Sequence, residues 1–334
     1  MDPANYKDLK VSRGYNYHYY AVKRETDKPT ILFVHGFPST ARDWRYMVPH
    51  FESRGYGIIA PDILGYGGTD KPTDWREYQG STLARDIHDI LVAEGVKKAI
   101  AVGHDWGAFI VSRLANFQPE DFLGYAFFNV SYVTPNPQYD NEKFHAQWKK
   151  ITGHDNYGYW YFFAEDDADK VIMDHLDAFI SAGFSKENNL SADVFSAKGA
   201  LKRSLLNEYR AEVAPFMTGE DRKIWTETFL KGGFKAPLSF YRIMCNNGRN
   251  SDDATIPKER LFPPASAPLF YVAALRDSVC DPKGGKASFT QEGLKSHNVS
   301  IVEVDGDHWW PMYTEKANEV AQKLETWIVD VVKV

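Results

Sequence analysis

The stretch VGHDWGAF, residues 102–109, sets one aspartate between two glycines where an apolar run gives way to a helical pattern. The order Gly103-His104-Asp105-Trp106-Gly107 matches a strand–turn–helix elbow, in which a reactive side chain stands between two glycines on a sharp turn. Gly103 and Gly107 remove side chains that the turn would crowd against its neighbours. Residue 105 is thereby lifted above the sheet edge at a helix N-terminus, where a negative charge is favoured. Taken alone, an aspartate at this junction reads as a helix N-cap. A second role follows from its chemistry. A carboxylate is already anionic at neutral pH and attacks carbon without help from a base. Attack on a carbonyl would give a reactive anhydride, whereas displacement at an sp3 carbon leaves an ordinary ester. Water must then cleave that ester, which requires a base and an oxyanion hole.

Residues of those types occur at strand ends. His308 follows the apolar run VSIVEV within VEVDGDHWW, and it is the one of ten histidines placed in a loop after the last strand-like segment. Asp277 follows the buried run LFYVAA within LFYVAALRD. Asp281 and Asp305 compete for the role of the acid behind His308, but Asp277 is closer to its strand end. Asn129, after the preceding strand, has no charge to offer. HGFP, residues 35–38, follows the run ILFV, so the backbone N–H groups of Phe37 and Trp106 are candidate oxyanion donors. Glu165, Asp166, Asp167 and Asp169 read as an acidic helix start rather than a metal site.

The elements that must carry these residues follow from periodicity. Extended segments are expected at residues 9–11 and 15–22, and buried strands at 31–34, up to Pro61, 99–102, 125–128, 269–274 and 299–304. A helix capped by Ser81 or Thr82 would bury Leu83, Ile87, Ile90 and Leu91, and another would run from Asp105 to Asn116. A last helix would bury Val320, Leu324, Trp327, Ile328 and Val331. Alternating strands and helices imply a mostly parallel, doubly wound α/β sheet. The alternation stops near Val133 and resumes with LFYVAA at Leu269, after a polar exit loop. A core of residues 1–134 and 257–334, interrupted by a helical cap of residues 135–256, is the expected organisation.

The motifs HGFP, DILGYGGTDKP, GHDWGAF, RDSVCDP and DGDHWW together resemble the epoxide hydrolases of the α/β-hydrolase fold. The resemblance covers nearly the whole chain, though the insert matches less closely than the core. It implies opening of a small apolar epoxide to a diol through an ester on Asp105, with no cofactor and no metal. His308, supported by Asp277, would activate water for the second step. It also implies two cap tyrosines that meet the epoxide oxygen. Tyr159, four residues before Phe163, fits the first, with Tyr157 and Tyr161 as rivals; Tyr241 in FYRIM fits the second. Ala164-Glu165-Asp166-Asp167 departs from the Gln-Glu-Pro-Gly usual after the first tyrosine, which loosens that register. Haloalkane dehalogenases share the core motifs and form the alternative, disfavoured by Phe37 in place of a polar halide ligand and by the tyrosine pair. A fluoroacetate dehalogenase would carry arginine after the nucleophile, where Trp106 stands. A non-catalytic ligand receptor on the same fold is a third reading.

Composition is consistent with an ordinary globular protein: 334 residues, 43% hydrophobic, with a net charge of -6 that offers nucleic acid no basic surface. Two cysteines without metal-binding spacing suggest neither a disulfide framework nor a zinc site. The opening MDPANYKDLK lacks a secretory pattern, and no run reaches the roughly 18 apolar residues of a membrane span. A cytoplasmic location is therefore expected.

Overall fold

The computed structural model describes residues 1–25, 27–153, 155–187 and 190–333. In chain order its elements are β1 (Tyr6–Lys10), β2 (Asn16–Val22), β3 (Thr30–Val34), α1 (Val48–Glu52), β4 (Gly57–Pro61), α2 (Gly80–Ala93), β5 (Ala99–His104), α3 (Trp106–Phe117) and β6 (Phe122–Phe128). Helices α4 (Asn141–Thr152), α5 (Tyr159–Phe163), α6 (Ala168–Asp174), α7 (Leu176–Gly183), α8 (Ala200–Leu206), α9 (Gly219–Gly232), α10 (Ser239–Cys245) and α11 (Asn250–Asp253) follow. The chain then returns through β7 (Leu269–Ala274), α12 (Pro282–Ser288), β8 (Val299–Val304) and α13 (Thr314–Trp327).

The eight strands form one sheet in the order β1-β2-β4-β3-β5-β6-β7-β8. β1–β2 and β2–β4 pair antiparallel, and every pair from β4–β3 to β7–β8 is parallel. Parallel strands need crossovers, and the crossover helices cover both faces. Alternate residues of the central strands therefore enter two separate cores. Ile31, Phe33, Ile100, Val102, Phe270 and Val272 pack towards α1 and α13. Leu32, Val34, Ala101, Tyr271 and Ala273 pack towards α2, α3 and the helical segment between β6 and β7. No helix among the described residues is long and apolar enough to cross a membrane.

Two local expectations are corrected. The first strand is Tyr6–Lys10 and stops before Val11, whose backbone N–H donates to Tyr15 O at 2.9 Å to close the hairpin end. Neither Ser81 nor Thr82 caps α2, which begins at Gly80 with Gln79 at the cap position. The Ser81 N–H is satisfied instead by Asp252 of α11, at 2.9 Å, and the Thr82 hydroxyl donates back to Gln79 O at 2.8 Å. A tertiary carboxylate has replaced a local cap, which sequence periodicity around residue 80 could not reveal.

Register places the candidate chemistry at one edge. Val34 of β3 pairs with Gly103 of β5, so the loop after β3 lies beside the turn after β5. His104 pairs with Phe128 of β6, and Phe128 with Val272 of β7, which brings the following loops alongside.

Candidate active site

Asp105 occupies φ 54° and ψ -123°, a backbone conformation that non-glycine residues rarely adopt. Its side chain makes no capping bond to α3, so the N-cap reading fails here. The glycines around it are required by contact. A Cβ on Gly107 would lie 2.0 Å from Val34 O, and one on Gly103 would lie 2.4 Å from the Gly107 backbone. Gly36 has the same role across the turn, since a Cβ there would stand 2.3 Å from Asp105 Oδ1. With that space open, the Phe37 N–H donates to Asp105 Oδ1 at 2.8 Å.

His308 lies across from the elbow, its Nε2 3.9 Å from Asp105 Oδ2 and its Nδ1 2.8 Å from Asp277 Oδ2. Asp277 is buried and fully engaged. Its Oδ1 accepts from the N–H groups of Val279 and Cys280 at 2.9 Å each, and its Oδ2 accepts from Asn129 Nδ2 at 2.6 Å. The two competing acids are occupied elsewhere: Asp281 caps α12, and Asp305 pairs with Arg276 at 2.9 Å.

The electrostatics follow from this packing. Burial raises the Asp105 carboxyl, while His308 and the N–H groups of Phe37 and Trp106 act to lower it. Burial opposes the His308 imidazolium, but Asp277 and then Asp105 overcome it and hold the imidazole up at about 9. Asp277 titrates below its ordinary value: burial works against its charge, and His308 with the hydrogen-bond donors outweighs it.

Sequence reasoning passed over Asn129 and His104. Asn129 carries no charge, yet its Nδ2 holds Asp277, its Oδ1 accepts from Trp310 Nε1 at 2.7 Å, and its backbone O accepts from the Tyr271 hydroxyl at 3.0 Å. Its φ of 64° suits asparagine better than most residues. His104 Nε2 lies 3.0 Å from His308 O, and burial drives its pKa down to about 3, so it is neutral and donates to that carbonyl.

The helical segment brings tyrosines over this centre. Tyr159 of α5 and Tyr241 of α10 are buried, with ring centroids 5.7 Å apart at 67°. The Tyr241 ring packs edge-on against Phe37 at 5.1 Å and Trp106 at 5.2 Å, and against Phe163 at 4.7 Å. Both phenols titrate well above 10, raised first by burial, then for Tyr159 by Asp105 and for Tyr241 by Tyr159 and Asp105, so both stay protonated. Of the rival tyrosines, Tyr161 faces away, donating to Glu142 at 2.9 Å beneath the Lys198 ammonium. Tyr157 lines a cavity that Asp105 and Tyr159 also line.

That cavity, of about 360 Å³, runs from Asp105 between Trp106, Phe109, Tyr139, Phe144, Trp148 and Trp160. A second space, of about 20 Å³, meets it at Asp105, Tyr159 and Val279 and is lined by Tyr241, His308 and Trp309.

Residues 29–313 match the family described as alpha/beta hydrolase fold. The chain belongs to that family. Among relatives, the bifunctional epoxide hydrolase 2 of Sus scrofa is 28% identical over 77% of this chain and 44% of its own length. That of Rattus norvegicus is 26% identical over 90% of this chain and 51% of its own. The chain thus spans about half the length of these bifunctional relatives. The epoxide hydrolase srdG of Neurospora crassa is 25% identical over 92% of this chain and 91% of its own. Among solved structures, an epoxide hydrolase from an endophytic Streptomyces superposes with a TM-score of 0.77 at 21% identity, covering 97% of this chain and 94% of that one. Epoxide hydrolase A from Mycobacterium thermoresistibile gives a TM-score of 0.74 at 23% identity, covering 97% and 98%. At such identities the structural likeness speaks to the fold alone.

Proposed function

We propose that the chain hydrolyses epoxides to vicinal diols through an ester on Asp105, with residues 135–256 acting as a cap that supplies Tyr159 and Tyr241. The observation that carries this reading is the meeting of two protonated, buried phenols from separate helices opposite an aspartate at a nucleophile elbow. A leaving halide needs no proton, whereas an epoxide oxygen leaves as a strongly basic alkoxide and requires acids of this kind. The names of the relatives point the same way.

In the resting site Asp105 is a carboxylate and His308 an imidazolium. An Asp105 oxygen forms a bond to the less hindered epoxide carbon while the C–O bond breaks, and its electron pair goes to the oxygen. Tyr159 and Tyr241 hydrogen-bond that oxygen and one gives up its proton. Esterification removes the charge on Asp105, so the His308 imidazolium loses one of its two counter-charges and becomes a better acid. Its proton restores the phenol, and His308 is left neutral. It then takes a proton from water as the hydroxide adds to the ester carbonyl, and the N–H groups of Phe37 and Trp106 receive the oxyanion. Collapse expels the diol oxygen, which takes the proton of the newly formed Asp105 acid. Carboxylate and imidazolium are regenerated, and the sum is epoxide plus water to diol.

The reading is tested by incubating the protein with styrene oxide and, separately, with 1-bromobutane. Diol from the first and no bromide from the second is expected. Bromide release would move the dehalogenase reading ahead, and neither product, with both compounds bound, would favour a receptor. With His308→Gln, intact-protein mass spectrometry after styrene oxide should show an adduct of one substrate mass.

A further inference from the structure

The two spaces that meet at Asp105 differ in size by more than tenfold, about 360 Å³ against about 20 Å³. A water needs roughly 10–15 Å³ of such volume, so the small arm has room for a water and not for an alkyl or aryl group beside it. Its walls are set. Phe37, Phe179, Phe184, Phe195 and Trp309 are each buried. Their rings brace one another, Phe184 against Trp309 at 4.8 Å and Phe37 and Phe195 each against Phe179 at 6.3 Å. Swinging one ring aside would displace the next, since interiors of this density have little slack.

Chemistry separates the arms as well. His308 lines the small arm together with Asp105, Tyr159 and Tyr241. The large arm is lined by Asp105 and Tyr159 but not by His308, and it lies between the aromatic side chains of α3, α4 and α5. Resting on the reading of the site as an epoxide hydrolase, we propose that the small arm is the seat of the hydrolytic water and that the large arm alone holds the substrate's substituent. The substrates are then terminal epoxides with one apolar, preferably aryl, group. A trans-1,2-disubstituted epoxide directs its two substituents to opposite sides of the ring. With one in the large arm, the other falls where the His308 water must sit. The bare CH2 carbon of a terminal epoxide faces Asp105 without that conflict. Asp105 oxygen bonds to that carbon, its C–O bond breaks, and the oxygen receives a phenol proton, as in the cycle above.

The measurement is kcat/KM of the full chain for styrene oxide, trans-β-methylstyrene oxide and trans-stilbene oxide, with diol as product. Styrene oxide should exceed trans-stilbene oxide by about a hundredfold or more, because an excluded group costs more than the usual methylene penalty. Phe184→Ala opens the small arm without removing a ring from Tyr159 or Tyr241, and it should raise the ratio of trans-β-methylstyrene oxide to styrene oxide by about tenfold. Trans-stilbene oxide turned over within about threefold of styrene oxide, an effect under 1 kcal/mol, would overturn the inference while leaving the hydrolase reading intact. A folded Phe184→Ala protein with an unchanged ratio would also overturn it. Failure on all three epoxides would sink the underlying reading, and this inference with it.

Discussion

Asp105 and His308 set one another's ionisation, and both depend on Asp277. Burial pushes the Asp105 carboxyl up and the nearby imidazolium pulls it back. Removing that cation in His308→Gln should therefore raise the Asp105 pKa. The acid limb of the single-turnover alkylation rate should move to higher pH in the variant, read by stopped reaction and mass spectrometry across pH 4 to 8. An unmoved limb would mean that the imidazole is neutral at rest. The same coupling has a sign in stability. The folded His308 pKa, about 9, lies above its ordinary 6.5, so its contribution is complete below pH 6.5 and is lost as pH rises through about 9. The Tm advantage of wild type over His308→Gln should shrink across that window, and a constant difference would contradict it. The three residues were legible because each follows an apolar strand run. Asn129 was not. It was weighed only as a charge, while its value lies in a side-chain amide that donates to Asp277 and accepts from Trp310, which are 148 and 181 positions away.

At the scale of elements, the elbow depends on two helix-to-strand contacts that only glycine permits. Gly107→Ala would drive a Cβ to 2.0 Å from Val34 O, and backbone cannot step aside there. A loss of at least about 3 kcal/mol in urea-monitored stability is expected. A loss below about 1 kcal/mol would mean that β3 and α3 slide apart freely. The elbow could be read from sequence because its glycines flank it directly. The register of the first tyrosine could not, since Tyr157, Tyr159 and Tyr161 alternate within one short aromatic stretch and only packing separates them. Tyr159 packs edge-on against Tyr241 beside Asp105, whereas Tyr161 is drawn outward by Glu142. If Tyr159 and Tyr241 both donate to the epoxide oxygen, each lost hydrogen bond should raise the barrier by about 2 to 4 kcal/mol. Either Phe substitution should slow alkylation by roughly tens to several hundredfold, and the pair should nearly abolish it. A double variant within about threefold of wild type would make both tyrosines packing residues.

Across the whole molecule, the helical segment must be held over the strand ends, and one buried carboxylate ties both of its crossings to the elbow helix. Asp253 of α11 pairs with Arg113 of α3 at 3.1 Å and with Arg249 at 2.8 Å, and it accepts the Asn136 N–H at 2.8 Å. The two guanidiniums reach on to the backbone where the chain leaves the core, Arg113 to Val133 O at 2.8 Å and Arg249 to Thr134 O at 3.2 Å. The end of the strand–helix rhythm near Val133 showed in sequence. This lock did not, because Arg113 and Asp253 are 140 positions apart and each looks like an ordinary helix-surface charge until the fold buries both. Burial, with Arg249 beside it, lowers Arg113 to about 10, so it remains charged at neutral pH. Asp253→Asn would then leave two buried cations facing a neutral amide. Breaking a buried pair from one side costs about 3–5 kcal/mol. We expect a stability loss of that size, with faster amide exchange at residues 133–136 and 249–253 than at β5, because the carboxylate joins the two crossings and not the sheet. Alkylation should slow as well, since Tyr159 and Tyr241 belong to the loosened segment while Asp105, His308 and Asp277 do not. A loss under about 1 kcal/mol with uniform exchange would show that the aromatic contacts of α5 and α10 with Phe37 and Trp106 hold the segment by themselves.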